Sequence, residues 1–181
     1  MATNNQKILS RAKSIRLLLL DVDGVLTDGQ LYFGNNGEEL KTFNIQDGLG
    51  IKLLQKNGVE VGIITGRSSA LLTRRAEELG IKLVIQGRED KLAALEEVLR
   101  NDKEKYSYKM QEIAFLGDDL PDLAVISRVG LGVAVADAHN FVAKHAHWQT
   151  SKKGGCGAAR ELAELILQAK DTLDSILLNY L

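Results

Sequence analysis

The sequence predicts an α/β fold built on a doubly wound, Rossmann-like parallel sheet, and three observations lead to this prediction. Short runs composed almost entirely of apolar residues recur along the chain, which is typical of strands buried on both faces of a sheet. Amphipathic stretches with helical periodicity alternate with these runs, as in βαβ units. The chain has 181 residues, of which 45% are hydrophobic, enough for one domain with a sizeable core. We therefore expect a single domain over residues 1–181.

The apolar runs predict five strands, and the stretches between and after them predict helices. The strands are expected at 15–20, 59–65, 82–85, 112–117 and 130–135. The helical stretches are 50–58, 68–80, 90–101, 119–130 and the C-terminal segment 157–181, which predicts one or two helices. Ser68 or Ser69 is the expected cap of the second of these helices, and Gly80 is its expected end.

One segment between the first two strands departs from this alternation. Residues 29–44 contain two short strand-like arms on either side of Asn36-Gly37, a dipeptide typical of tight hairpin turns. We expect a β-hairpin flap here, inserted after the first strand, with Leu31 and Phe33 on one face of its first arm.

Composition and charge exclude several classes of partner. A net charge of −1 leaves no basic surface for nucleic acid or for an anionic membrane. The first 16 residues lack the apolar centre of a signal peptide, and no apolar run approaches the length of a membrane span. The lone cysteine, Cys156, forms no internal disulfide and suits a reducing compartment. These features predict a cytoplasmic protein with no nucleic-acid or membrane partner; the expected small-molecule partner follows from the motifs described next.

Polar residues follow the predicted strands at equivalent places. Asp21 and Asp23 come directly after the first strand, Thr65 ends the second, and Asp118 follows the fourth. Lys91 opens the helix after the third strand. Each has an ordinary explanation alone, as a turn, cap or solvated residue. Because ligands bind at the carboxyl ends of parallel strands, the recurrence favours a shared site.

These residue types suit phosphoryl transfer assisted by Mg²⁺. The carboxylates of Asp21 and Asp118, with the backbone carbonyl near Asp23, offer the oxygen ligands that Mg²⁺ prefers. A carboxylate can also attack phosphorus and form an aspartyl-phosphate intermediate. Asp23 is then placed to protonate the leaving oxygen and later to activate water. Thr65 and Lys91 would orient the phosphoryl oxygens and balance their charge.

The motifs around these residues resemble a known superfamily. "DVDGVLTDG", "IITGR", Lys91 and "GDDLPD" resemble, in order, the four motifs of the haloacid dehalogenase superfamily of phosphotransferases. "NNGEELKTFNIQDGLGIK", "LGIK", "VAVADAH" and "GGCGAARE" are similar to the 3-deoxy-D-manno-octulosonate 8-phosphate phosphatase family over nearly the whole chain. The resemblance implies Mg²⁺-dependent hydrolysis of that sugar acid phosphate, a step in lipopolysaccharide precursor biosynthesis.

The resemblance also implies roles for individual residues. Asp21 would be the nucleophile, Asp23 the acid/base, and Asp21, Asp23 and Asp118 the Mg²⁺ ligands. Substrate contacts are implied for Asp23, Asn44, Ile45, Gln46, Asp47, Gly48, Lys52, Arg67, Arg75 and Lys91. The family usually has arginine where this chain has Gln46. Another nine-carbon sugar acid phosphate, of the sialic-acid type, is therefore an alternative substrate.

Two alternatives to an enzyme of this kind also fit part of the pattern. A phosphoryl-accepting receiver-like domain uses clustered Asp, Thr and Lys on a doubly wound sheet, but its lysine comes last, whereas Asp118 follows Lys91 here. An inactive sugar-phosphate binding scaffold would not need both Asp21 and Asp23.

The spacing of the motifs leaves no room for a cap domain, so a capless fold is expected. The segment from Asp21 to Thr65 holds the hairpin and one helix, and the segment from Thr65 to Lys91 holds one helix and one strand. Another copy of the chain could close the site by covering the hairpin. The family resemblance points the same way, to a homotetramer with sites at subunit interfaces.

Overall fold

The computed structural model describes residues 2–35 and 39–181. The strands are β1 (Leu17–Leu20), β2 (Tyr32–Phe33), β3 (Glu39–Leu40), β4 (Glu60–Ile64), β5 (Leu83–Ile85), β6 (Ile113–Gly117), β7 (Leu131–Ala134) and β8 (Trp148–Gln149). The helices are α1 (Ala2–Lys13), α2 (Ile45–Lys56), α3 (Ala70–Leu79), α4 (Lys91–Asn101), α5 (Leu123–Ile126), α6 (Asn140–His145), α7 (Ala158–Ala169) and α8 (Leu173–Leu178). Short 3₁₀ turns precede β6 and α5.

The main sheet has six strands in the order β5-β4-β1-β6-β7-β8, and all neighbouring strands are parallel. β1 lies between β4 and β6, with Leu20 in register with Ile63 on one side and Leu116 on the other. The four leucines of β1 are fully buried, which requires cover on both faces because successive side chains point to opposite sides. The predicted doubly wound parallel sheet and its five predicted strands are confirmed.

Three of the described helices and strands, α1, α6 and β8, were not predicted from the sequence. α6 is six residues long and buries only Val142. β8 is only two residues long, too short to show a hydrophobic period. α1 is polar along most of its length and buries only one turn-spaced pair, Ile8 and Ala12, among its described side chains. None of these three segments therefore carries the apolar pattern on which the other predictions rest.

The helices pack in two groups. α1 and α2 pack against α7, and α3 packs against α2, whereas α4 packs against α5 and α5 against α6. Both groups cover the main sheet, since α2 and α4 both contact β4, and α1 and α5 both contact β7. α3 begins after Ser69, whose hydroxyl makes no capping hydrogen bond, and ends at Gly80 with φ +69°, as expected. The C-terminal segment forms two helices, α7 and α8. Within the described part of the chain, no helix is long and apolar enough to cross a membrane.

The segment after β1 contains the two arms expected there. β2 and β3 form a separate antiparallel ribbon in which Tyr32 is opposite Leu40. The turn expected at Asn36-Gly37 lies outside the described residues. The ribbon leaves apolar side chains in solvent, since Leu31 is 45%, Phe33 66% and Leu40 63% exposed.

Candidate active site

The turn after β1 fixes the backbone of Asp21 and Asp23. The Asp21 N–H donates to the Leu116 carbonyl of β6 at 3.0 Å, so the sheet pairing extends one residue past β1. The Val22 carbonyl then accepts hydrogen bonds from three successive N–H groups, those of residues 25–27. Gly24 has φ +86°, and a Cβ at this position would collide with the Asp118 carboxylate. The tight turn therefore brings the first motif against the residue that follows β6.

The strand ends meet at one cleft of about 490 Å³. It lies at the carboxyl ends of β1, β4 and β6, the three adjacent central strands. Six of the predicted site residues line it, namely Asp21, Asp23, Thr65, Arg67, Lys91 and Asp118. This shared position follows from the parallel order of the strands.

Lys91 is the buried cation of the cleft. Its Nζ lies 2.5 Å from Asp122 Oδ1 and 2.9 Å from Asp21 Oδ1, and its side chain is only 4% exposed. Burial by itself would lower the pKa of Lys91, but the carboxylates of Asp122 and Asp21 outweigh it and raise that pKa. The lysine is therefore a fixed positive charge between two carboxylates.

Asp122 fixes the loop after β6 through hydrogen bonds. This role was not predicted from the sequence. Its Oδ2 accepts the backbone N–H groups of Asp118 at 2.8 Å and Asp119 at 3.2 Å, while its Oδ1 contacts Lys91. It is 1% exposed. The only sequence signal was its place in "GDDLPD", just beyond the two aspartates that follow the strand.

The acidic groups of the cleft fit a divalent cation. One carboxylate oxygen from each of Asp21, Asp118 and Asp122 lies within 4.8 Å of the others. Burial and then the charge of Asp122 raise the pKa values of both Asp21 and Asp118, and the Asp21 carboxylate raises the pKa of Asp118 further. Lys91 Nζ lies 2.9 Å from the buried Asp21 Oδ1 and offsets part of the negative charge of this cluster. Clustered carboxylate oxygens are the donor set that Mg²⁺ prefers.

Asp23 lies beside this cluster and is paired with cations. Lys41 Nζ donates to Asp23 Oδ1, and Arg67 Nε lies 3.7 Å from Asp23 Oδ2. The Asp23 side chain therefore faces Lys41 and Arg67, and the backbone carbonyl near it remains the oxygen expected at a metal. Lys41 was not among the predicted site residues.

The other predicted substrate residues do not line this cleft within one chain. Asn44 caps α2 through its side chain and donates to the Gly155 carbonyl at 3.3 Å. Arg75 Nη2 lies 3.4 Å from the Asn44 carbonyl, and a Cβ at Gly48 would meet it at 2.5 Å. Ile45 is 82% exposed, and Gln46 and Lys52 are also exposed.

Asp47 is buried and serves another helix. Its Oδ1 accepts the Arg160 N–H at 2.8 Å and its Oδ2 accepts the Gly157 N–H at 3.3 Å, both at the start of α7. Gly157 itself has no side chain to cap that helix. Burial raises the pKa of Asp47, against the lowering effect of these N–H groups. Asp47 thus joins the start of α2 to the start of α7.

The glycine segment before α7 packs against the turn after β1. The Gly155 N–H donates to the Val25 carbonyl at 2.8 Å, and the Gly154 N–H donates to Asp137 Oδ1 at 3.0 Å. A Cβ at Gly154 would collide with the Gly24 carbonyl. The segment therefore supports the backbone that carries Asp21 and Asp23.

Sequence comparison places the chain in a family. Residues 84–162 match the haloacid dehalogenase-like hydrolase family. Over 92% of this chain and 87% of the relative, the sequence is 49% identical to the 3-deoxy-D-manno-octulosonate 8-phosphate phosphatase KdsC of Yersinia pestis. The chain belongs to the 3-deoxy-D-manno-octulosonate 8-phosphate phosphatase family. The KdsC protein of Escherichia coli K12 is 47% identical over the same shares.

A solved structure of this family is similar to the whole chain. The 3-deoxy-D-manno-octulosonate 8-phosphate phosphatase of Moraxella catarrhalis was determined in complex with magnesium, phosphate and KDO, the sugar acid. It is 41% identical, with a TM-score of 0.92 over 97% of this chain and 99% of that one. The predicted family and the predicted haloacid dehalogenase fold are thereby confirmed.

Proposed function

We propose that this protein is a Mg²⁺-dependent phosphatase that hydrolyses 3-deoxy-D-manno-octulosonate 8-phosphate (KDO 8-phosphate) to KDO and phosphate. The observation that carries the proposal is the 49% identity with the Yersinia enzyme across 92% of this chain. The clustered carboxylates at the strand ends supply the chemistry that such a reaction needs. The reaction would serve lipopolysaccharide precursor biosynthesis in the cytoplasm.

In the first half of the reaction, Asp21 is the proposed nucleophile. One of its carboxylate oxygens forms a bond to phosphorus while the bond from phosphorus to the sugar oxygen breaks. Asp23 gives its proton to the departing sugar oxygen, which would otherwise leave as an unstable alkoxide. The products of this step are free KDO and phosphorylated Asp21.

In the second half, Asp23 is the proposed base. It takes a proton from water as the water oxygen attacks phosphorus, and the bond between phosphorus and Asp21 breaks. Phosphate leaves, Asp21 is a free carboxylate again, and Asp23 is again protonated. Proton and bond changes therefore balance over the cycle without a further reactant.

Thr65, Lys91 and Arg67 are the proposed groups that bind the transferring phosphoryl group. Lys91 is held by Asp21 and Asp122, so its charge needs little reorganisation during the reaction. Asp21 and Asp118, with the backbone near Asp23, would hold Mg²⁺. Bound there, the ion offsets the negative charge of the nucleophile and of the phosphoryl oxygens.

Loss of Asp118 should weaken metal use. We expect Asp118→Ala to raise the Mg²⁺ concentration for half-maximal activity by at least about tenfold, since each ligand contributes strongly to a site with few protein ligands. The measurement is a Mg²⁺ titration of phosphate release. Ca²⁺ should inhibit, because it prefers more ligands in looser geometry. An unchanged titration would remove Asp118 from the ligand set, and full activity in excess chelator would contradict metal dependence.

A pair of glycine variants tests whether the position of the Asp118 carboxylate matters for Mg²⁺ binding. Gly24 and Gly80 both have a left-handed backbone, with φ +86° and +69°, but only a Cβ at Gly24 meets the Asp118 carboxylate. Both alanine variants should lose about 1–2 kcal/mol of stability from backbone strain. Only Gly24→Ala should also require more Mg²⁺ for activity. Equal Mg²⁺ titrations for the two variants would show that this contact is unimportant.

Gln46 is the reason to test a second substrate class. The family resemblance leads us to expect arginine here, and a neutral side chain would weaken a contact with the sugar acid. We expect KDO 8-phosphate to give the highest kcat/KM in a panel of phosphorylated sugar acids with Mg²⁺. A higher kcat/KM for a sialic-acid-type 9-phosphate would reassign the substrate without changing the chemistry.

We also propose a homotetramer with sites at subunit interfaces. Ile45, Gln46 and Lys52 are exposed in one chain and do not line its cleft, although the resemblance implies that they contact substrate. In an assembly, a neighbouring copy could present such residues to the cleft. The exposed apolar ribbon offers a surface for this contact.

A further inference from the structure

Lys41 is buried although it follows an exposed ribbon strand. Leu40, directly before it, is 63% exposed, and Phe33 on the paired strand is 66% exposed. The side chain of Lys41, in contrast, is only 3% exposed. Lysine is almost never fully buried unless it is paired, because removing the ammonium group from water is costly. Its burial therefore calls for a specific partner.

Asp23 is a partner of this kind. Lys41 Nζ donates a hydrogen bond to Asp23 Oδ1, and the two side chains form an ion pair. Asp23 Oδ2 lies 3.7 Å from Arg67 Nε. Arg67 lines the cleft, whereas Lys41 does not. The two oxygens of Asp23 thus differ, because Oδ1 faces the ribbon and Oδ2 faces the cleft side.

We propose that Lys41 is a positioning residue for Asp23, which fixes the carboxyl group so that Oδ2 carries the proton that is delivered to the leaving sugar oxygen. The inference rests on the proposed function, because it takes Asp23 as the acid/base. A protonated carboxyl group can hold its proton on either oxygen. An ammonium donor on Oδ1 excludes the proton from that oxygen and leaves Oδ2 to carry it.

The same contact ties the ribbon to the chemistry. Lys41 directly follows β3, so its hydrogen bond with Asp23 joins the end of the ribbon to the turn after β1. General acids act within hydrogen-bond reach of the atom they protonate, and a small misplacement costs much of the rate. Ribbon position and proton delivery are thereby linked through one side chain.

The test compares two leaving groups, KDO 8-phosphate and 4-nitrophenyl phosphate. The sugar alkoxide needs a proton to leave, whereas 4-nitrophenolate is stable without one. We expect Lys41→Met to lower kcat for KDO 8-phosphate by roughly 10- to 100-fold, a part of the 10²–10⁴-fold that acid/base catalysis supplies. The kcat for 4-nitrophenyl phosphate should fall several-fold less, because for this substrate only the second half of the reaction, which both substrates share, depends on Asp23. KM for KDO 8-phosphate should change little. Lys41→Arg should recover part of the loss, because it restores a donor.

Lys56→Met is the matched control, since Lys56 is exposed at the far end of α2 and should leave both rates unchanged. An equal loss for the two substrates, or a rise in KM without a fall in kcat, would overturn the positioning role. The second result would identify Lys41 as a substrate-binding residue. Asp23→Asn, assayed in parallel, should show the same preference for the aryl phosphate. If Asp23→Asn lacks that preference, the proposed mechanism itself fails. If only Lys41→Met lacks it, the inference about Lys41 fails alone.

Discussion

Asp21→Asn should lower turnover of KDO 8-phosphate by at least about 10³-fold, because loss of a catalytic nucleophile removes most of the rate enhancement. The substitution keeps the volume of the side chain but removes the oxygen that would attack phosphorus. Initial rates of phosphate release at saturating Mg²⁺ measure the effect. A variant that retains a sizeable fraction of the wild-type rate would exclude the aspartyl-phosphate mechanism.

The fold of Asp21→Asn should survive, which makes its loss of activity interpretable. Asp21 is 6% exposed, and burial and the charge of Asp122 both oppose its ionisation. A neutral amide removes that repulsion, and Lys91 keeps its ion pair with Asp122. We therefore expect a thermal midpoint no lower than that of the wild type without metal. Asp174→Asn, the same change at an exposed site on α8, should leave both rate and midpoint unchanged.

Local signals explain which parts of the site could be predicted from the sequence. Asp21, Thr65 and Asp118 each follow an apolar strand, so a pattern of a few residues places them at the same edge of a parallel sheet. Lys91 is the first residue of α4, which follows β5 after a short loop. The central sheet could be predicted for the same reason, since each buried strand is a continuous apolar run.

The parts that could not be predicted depend on contacts between distant segments. Lys41 reaches Asp23 across the ribbon, and Asp47 reaches Gly157 and Arg160 across more than one hundred residues. No local pattern distinguishes these side chains from solvated charges. The family resemblance implied that Asp47 contacts substrate, whereas in the structure its carboxylate accepts hydrogen bonds from backbone N–H groups at the start of α7. A role at the substrate would have to act through that helix contact.

The exposed ribbon carries the prediction with the other large effect. Leu31 is 45% and Phe33 66% exposed, and a two-stranded ribbon is marginally stable alone in water. Contact with neighbouring copies would bury these side chains and protect the strand edges. It would also exclude water from the cleft, which strengthens the electrostatic contacts of the reaction. We expect Leu31→Lys combined with Phe33→Lys to give species smaller than a tetramer and to lower KDO 8-phosphate turnover at least about tenfold.

Light scattering and a rate assay on the same fractions measure both effects of the ribbon variant. Phe141→Lys combined with Leu177→Lys places the same two charges on exposed apolar positions of α6 and α8, and it should leave assembly and rate unchanged. The thermal midpoint of the ribbon variant separates dissociation from unfolding, because the ribbon contributes no strand to the six-stranded sheet. If the ribbon variant is a folded monomer with the wild-type rate, neither the assembly nor the closure of the cleft by a neighbouring copy is needed for catalysis. A tetramer with a low rate would instead separate the two roles, since the ribbon would then act on its own cleft through Lys41 and Asp23.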